Sequence, residues 1–280
     1  MKANRKFKQV VWAALLAVVF GSCSKDEDNL IVEGPQGGSI TLVDLDWNGK
    51  DNGQYSEAEA KADFGNMSGW QSSRVSFQNQ HIAVTMLANK LSGAGGIVAN
   101  MDLPPSPEVR ISYDVLFPDD FIWGRGGKVG FGLRIGDGNT GCDKADDGNG
   151  GSARIMWYTS DNGVTKFKPY LYYVDMPGEC GDNLDGESAY PTEGSIQKGK
   201  WYTIEMRVKS NLSELADGHI EILIDGQSVL DSPIRWTTNN TKRLINRLAF
   251  STFRGGSQEH WKVDQDTQIY FDNLKVERIY

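Results

Sequence analysis

The sequence predicts an all-β fold, an antiparallel β-sandwich of the jelly-roll kind, and three observations carry that expectation. Apolar residues recur at every second position over short runs. Clusters of Gly, Asn and Asp punctuate those runs, as turns between strands require. The three-to-four spacing of an amphipathic helix is nearly absent, the one helical stretch being the Ala- and Glu-rich Ser56 to Ala62. Two antiparallel sheets closed face to face bury such strands most simply.

The chain begins differently. Lys2, Arg5, Lys6 and Lys8 precede an apolar run from Val10 to Phe20, and Gly21-Ser22-Cys23 follows. A basic head, an apolar core too short to span a bilayer and small residues at its end make residues 1–22 a secretory signal. Cys23 stands where bacterial lipoproteins carry the cysteine that is lipidated and becomes the new N-terminus. The acidic Ser24-Lys25-Asp26-Glu27-Asp28 resembles the export tag of Bacteroidetes surface lipoproteins. Residues 23–39, with Pro35 and Gly37-Gly38, are expected to tether a single domain over residues 40–280. The expected location is therefore the outer membrane, facing outward, with the membrane reached through a lipid on Cys23.

Beyond Cys23 only Cys142 and Cys180 remain, and in an exported protein such a pair is expected as a disulfide rather than a metal site. His81, His219 and His260 are scattered, so no histidine-rich zinc site is expected. The formal net charge is −8, and removal of the four cations of the signal leaves −8 − 4 = −12. Nucleic acid is excluded as a partner on that balance. An acidic ligand would need a locally basic cleft.

Strand phase locates one. Side chains alternate faces along a strand, so each run divides into two sets. The run Val109, Ile111, Tyr113, Val115, Phe117 has a plain apolar face, as do Tyr202 to Val208 and Ile220 to Ile224 before the Asp225-Gly226 turn, and Ile269 to Val276 reads as a further strand. Three other runs are unusual on their second face. Lys128 to Ile135 sets Lys128, Gly130, Gly132 and Arg134 opposite its apolar residues. Ser152 to Tyr158 sets Ser152, Arg154, Met156 and Tyr158 opposite Ala153, Ile155 and Trp157. Lys166 to Val174 sets Lys166, Lys168, Tyr170 and Tyr172 opposite Phe167, Pro169, Leu171 and Tyr173. If these runs share a sheet they form a floor of cations and phenols, with the glycines leaving room for a polymer. A half-exposed sheet facing water would show a similar pattern, but cations gathered on one face of so acidic a chain point to a site.

These motifs, in order, resemble polysaccharide lyase family 14. They are Gly126-Gly127-Lys128, Gly151-Ser152-Ala153-Arg154-Ile155-Met156-Trp157 and Tyr170-Leu171-Tyr172. Asp119-Asp120-Phe121-Ile122-Trp123, Phe253-Arg254-Gly255-Gly256-Ser257 with Trp261, and Tyr270-Phe271-Asp272-Asn273-Leu274 frame them, and Asp44 to Phe64 resembles the family's opening segment. The resemblance covers roughly residues 40–280. It implies a β-jelly roll that cleaves an alginate- or glucuronan-like uronate polymer, with Lys128, Ser152, Arg154, Tyr170 and Tyr172 as the catalytic cluster. Two departures bear on the substrate. Val129-Gly130-Phe131-Gly132-Leu133 stands where the family has Leu-Pro-Gly-Leu, and Tyr158 stands where it commonly has Arg. The Asp- and Gly-rich insert Gly136 to Gly151 is local to this chain.

Such a lyase removes the C5 proton of a uronate and expels the 4-O-linked sugar, which needs a neutralised carboxylate, a base and an acid. Arg154 and Lys128 suit the carboxylate. Tyr172 or Tyr170 is expected as base, provided neighbouring cations lower its pKa from the phenol range; Lys128 is the alternative base. Lys166 and Lys168 would grip flanking uronates, Arg134 adds a cation to the same floor, and Ser152 would hydrogen-bond the carboxylate. Trp123, in a loop with Gly124 and Arg125, and Tyr158 are expected as sugar platforms, with Trp261 a further candidate; Trp157 belongs to the core by phase. No cofactor is expected. Asp143, Asp146 and Asp147 leave a structural calcium open, whereas Asp44 to Tyr55 fails as an EF-hand because its twelfth residue is Tyr55, not Glu. The competing reading is a non-catalytic glycan-binding lipoprotein using the same face; the phenol–cation cluster favours the enzyme.

Overall fold

The computed structural model describes residues 38–280; the signal, Cys23 and nearly all of the tether lie outside the described residues. The first strands are β1 (Ser39–Leu45), β2 (Gly53–Gln54), β3 (Met67–Ser68), β4 (Val75–Gln78), β5 (His81–Met86), β6 (Ile97–Ser106) and β7 (Glu108–Leu116). The middle of the chain forms β8 (Gly126–Lys128), β9 (Phe131–Gly136), β10 (Gly150–Thr159) and β11 (Thr165–Tyr172). The last are β12 (Trp201–Lys209), β13 (Gly218–Ile224), β14 (Gln227–Ile234), β15 (Ile245–Arg254) and β16 (Thr267–Ile279). The single α-helix, α1 (Glu57–Phe64), starts on a capping box in which Ser56 and Glu59 satisfy each other's backbone N–H groups.

Two antiparallel sheets result. One runs β14-β13-β12-β7-β16-β5-β4-β2, with β1 also paired to β16; the other runs β11-β10-β8-β15-β6-β3, with β9 bridging β10 and β15. Their facing sides make the core. Val109, Ile111, Tyr113 and Val115 of β7 and Ile204, Met206 and Val208 of β12 meet Phe131, Leu133, Ile155, Trp157, Phe167 and Phe250 from the second sheet, all buried. Phe131 stacks on Phe250 at 4.3 Å, and Tyr113 meets Phe131 edge-on at 5.4 Å. This is the jelly-roll sandwich that the alternation predicted.

Two features differ from the pattern reading. The run from Lys128 to Ile135 is not one strand. It breaks at Gly130, whose φ of +77° turns the chain between β8 and β9. Tyr113 from the opposite sheet fills the break; a Cβ at residue 130 would stand 2.3 Å from its ring, and its hydroxyl donates to the Val129 carbonyl. The side-chain phase survives, so Lys128 still shares a face with Arg134. Secondly, β9 is buried along its whole length and β10 along most of it. Over β9 and most of β10 the cation-bearing face is covered by connecting loops, whereas Lys166, Lys168 and Tyr170 of β11 stay half-buried.

Candidate active site

Register assembles the site. Arg154 of β10 lies opposite Tyr170 of β11, and Met156 lies between Lys168 of β11 and Lys128 of β8. Lys128 in turn faces Phe253 of β15. Lys128 therefore reaches diagonally across β10, placing Nζ 3.5 Å from the centroid of the Tyr170 ring. The Arg154 guanidinium sits 5.3 Å from the Tyr170 centroid and 5.6 Å from that of Tyr172. Room for its side chain comes from Gly132, where a Cβ would lie 2.8 Å from Arg154 Cγ. These glycines thus admit protein side chains, Tyr113 from the core side at 130 and Arg154 on the cation-bearing face at 132, and not a polymer as expected from sequence.

Around this centre lies a groove of about 460 Å³, lined by Lys128, Arg154, Met156 and Tyr170 on its floor. Phe253, Gly256, Ser257, Gln258 and Trp261 form one bank, with Ser92; Gly141, Cys142 and Cys180 form another. The cysteines are joined, with an S–S distance of 2.00 Å.

The electrostatics follow from burial. Lys128 is 6% exposed, and desolvation, with the Arg154 charge second, pulls its ammonium down to about 7. Arg154 is 5% exposed, and neither its Nε nor its Nη2 has a hydrogen-bond partner. Burial lowers its pKa too, opposed by Tyr172 and Tyr170, yet a guanidinium stays charged at any working pH. Desolvation, then Tyr172, pushes the Tyr170 phenol above the ordinary range, and Arg154 offsets this only in part. The expectation that cations would make a tyrosine acidic is therefore corrected: burial outweighs them, and the lowered pKa belongs to the lysine.

Other expected residues are placed elsewhere. Tyr172 is fully buried and its hydroxyl accepts from the Cys142 N–H at 2.9 Å, so it supports Tyr170 from behind, without meeting the groove. Ser152 is fully buried and donates to the Asn139 carbonyl at 2.7 Å, which leaves it no substrate contact. Arg134 lies under the β9–β10 loop, donating to Gly138; burial, Arg154 and Arg247 pull it down to about 10. Lys166 donates to the Thr192 carbonyl at 2.7 Å, away from the groove lining. Lys168 stands 5.5 Å over the Tyr158 ring, whose hydroxyl accepts from Arg125 and whose ring lies 6.2 Å from Trp261. Lys168, Tyr158 and Trp261 make the rim beyond Met156.

Trp123, expected as a sugar platform, is half-buried and lies outside the groove lining. Its ring packs 4.7 Å from Phe117 and 5.2 Å from Phe121, and its carbonyl accepts from Trp157 and Arg254. Trp123→Ala should destabilise by about 2–3 kcal/mol in urea unfolding and leave KM unchanged, as loss of a large packed side chain predicts. Met156 and the Ser257-Gln258 turn were missed as groove residues. Met156 was on the correct face by phase, and the turn directly follows the Phe253-to-Ser257 block of the family resemblance, which carried no site role in the sequence reading. Among the described residues no three His, Cys, Asp or Glu side chains gather closely enough to hold a metal ion.

Fold and site together define the class, a β-jelly roll of the polysaccharide-lyase type. The chain belongs to polysaccharide lyase family 14, whose family model, Polysaccharide lyase 14, matches residues 72–274. Among solved structures it is similar to a mutant of alginate lyase Aly36B in complex with alginate tetrasaccharide. Identity is 46%, the match covers 88% of this chain and 98% of that one, and the TM-score is 0.83. The alginate lyase vAL-1 from Chlorella virus shares the fold at 22% identity, with 85% and 100% covered and a TM-score of 0.63. Exolysin of Paramecium bursaria Chlorella virus 1 is 26% identical over 197 residues, 62% of this chain. The match spans 30% of that protein's own length.

Proposed function

We propose that the protein cleaves an alginate-like, 4-O-linked uronate polymer by β-elimination. The observation that carries the reading is Arg154, a buried guanidinium with two unpartnered nitrogens beside a lysine–tyrosine pair on a groove floor. Buried donors normally have partners, and where Arg154 borders the groove a uronate carboxylate supplies the missing opposite charge. The likeness to an alginate lyase that binds alginate tetrasaccharide supports the same substrate class.

The chemistry divides among three side chains. Arg154 pairs with the carboxylate next to C5 and stabilises the negative charge that grows there as the proton leaves. Lys128, neutral above about pH 7, takes the C5 proton. Tyr170, which burial keeps protonated, donates its proton to O4 as the C4–O4 bond breaks and the C4–C5 double bond forms. Transfer of the proton from the Lys128 ammonium to the Tyr170 phenolate restores both groups. Lys168, Tyr158 and Trp261 on the rim receive a flanking sugar.

The mature protein is further proposed to work at the outer-membrane surface, held by a lipid on Cys23, where a secreted polymer is accessible. Purified protein incubated with alginate and glucuronan should generate the ultraviolet absorbance of an unsaturated uronate end. Binding of either polymer with no absorbance at any pH would replace the lyase reading with glycan binding.

A further inference from the structure

The disulfide and the two segments it joins have no role in the chemistry above, yet they touch both tyrosines. Cys142 lies in the β9–β10 loop at a φ of +68°, in the left-handed region that non-glycine residues rarely occupy. That conformation accompanies the hydrogen bond from its N–H to Tyr172 Oη at 2.9 Å. Cys180 starts the segment that runs along the free edge of β11. There Asp182 and Leu171 exchange backbone hydrogen bonds of 2.7 and 2.9 Å, and the Asp182 carboxylate accepts from the Tyr173 hydroxyl at 2.6 Å. Between Cys180 and this bridge sits Gly181, with φ +54°. A Cβ there would stand 2.1 Å from Cζ of Tyr170, so the bare backbone lies directly on the phenol ring.

Tyr170 is consequently held by the Gly181 backbone, the Lys128 ammonium and the edge of Tyr172 at 5.9 Å. One loop fixes Tyr172 and the other fixes Tyr170. Among the described residues, the disulfide is the direct link between them, and no hydrogen bond joins the two segments. Strained backbone persists only where the surroundings over-determine it, and it gathers at functional sites.

We propose that the Cys142–Cys180 strap is a positioning element that holds Tyr170 against Lys128 in the geometry needed for turnover. This rests on the lyase reading. The strap touches neither reacting atom, so its loss should appear in kcat while the Arg154 contact to the carboxylate, and with it KM, persists. A displacement of about 1 Å at a catalytic group is enough to lower rate by one to two orders of magnitude.

The test uses the full chain on alginate, with kcat, KM and thermal melting measured together. Cys142→Ser/Cys180→Ser should lower kcat about tenfold or more with KM within about threefold, the split that marks loss of a transition-state interaction. Gly181→Ala keeps the disulfide but forces the Tyr170 ring away, and it should give the same split with a loss of melting temperature of a few degrees, small enough to leave the chain folded. It decides the matter if the double variant does not fold. Wild-type kcat in Gly181→Ala, or a raised KM with kcat intact in either variant, overturns the proposal. The two readings fail separately. A wild-type chain that releases no unsaturated product defeats the lyase reading and this one with it. An active wild type with unimpaired variants defeats this one alone.

Discussion

Lys128→Ala is expected to lower kcat on alginate about 10³-fold, within the range that a positioned general base contributes, while oligosaccharide binding changes little. The lysine is 6% exposed on a groove floor between Phe253, Met156 and Tyr170. Burial there disfavours the ammonium, and the Arg154 guanidinium disfavours it further, so the group falls to about 7 from its ordinary value above 10. The sign of the pH dependence follows. A base must be unprotonated, so activity should climb as pH rises through about 7 and then hold level. No descending limb should appear until Tyr170 ionises, which burial delays beyond the ordinary phenol range. Small primary amines added to Lys128→Ala should restore part of the rate, because the substitution leaves a cavity beside the Tyr170 ring where a neutral amine can enter. Were the base a tyrosine, the expectation drawn from the lyase chemistry, amines would have no effect and the rising limb would lie far above neutrality. A pH–rate profile of kcat with and without amine separates the two.

How far that site was legible in the sequence depends on what period-two alternation encodes. It fixes the face on which a side chain lies, and so it grouped Lys128, Arg154, Met156 and Tyr170 correctly even though β8 and β9 proved to be two strands. Alternation carries no information about what covers that face. Ser152 and Tyr172 share the phase of Arg154 and Tyr170, but one step along the strands the β9–β10 loop closes over them, and Asn139 and Cys142 take their hydroxyls. Long-range loop placement made that difference. The same ignorance of burial explains the inverted pKa argument, since a cation lowers a phenol's pKa only where desolvation does not exceed it. Trp123 was misread for a related reason. A loop position suggested exposure, but its ring is drawn into the Phe117–Phe121 cluster, and Arg254, a residue 131 positions away, fixes its carbonyl. By contrast, the sandwich itself was readable in most strands, because β7, β12 and β13 each bury a clean alternate set, whereas the alternation of β16 is broken by the register shift after Asp272.

Arg154→Met is expected to abolish most activity and to raise stability, two opposite effects from one side chain. The guanidinium is 5% exposed, and its Nε and Nη2 lack partners. Its only protein interactions of note are with the faces of Tyr170 and Tyr172 at 5.3 and 5.6 Å. A desolvated charge with unmade hydrogen bonds destabilises the free protein, and replacing buried ionic groups with apolar ones of similar size has stabilised other proteins by about 1–4 kcal/mol. Methionine, unbranched and polarisable, can fill the space between the two phenols. Melting should therefore rise by a few degrees. The kinetic effect runs the other way: loss of a charge aimed at the forming carbanion should cost about 10²–10³ in kcat, and KM should rise because the carboxylate loses its ground-state partner as well. Substrate supplies what the fold omits, so ligand should stabilise the wild type strongly and Arg154→Met hardly at all. Calorimetric melting of both proteins, with and without an alginate oligosaccharide, checks every part of this. If Arg154→Met melts lower than wild type, the phenol faces already compensate the guanidinium, and its open donors are not held in reserve for the substrate. If it melts higher and is inactive, the arginine is present for the polymer and against the interest of the fold.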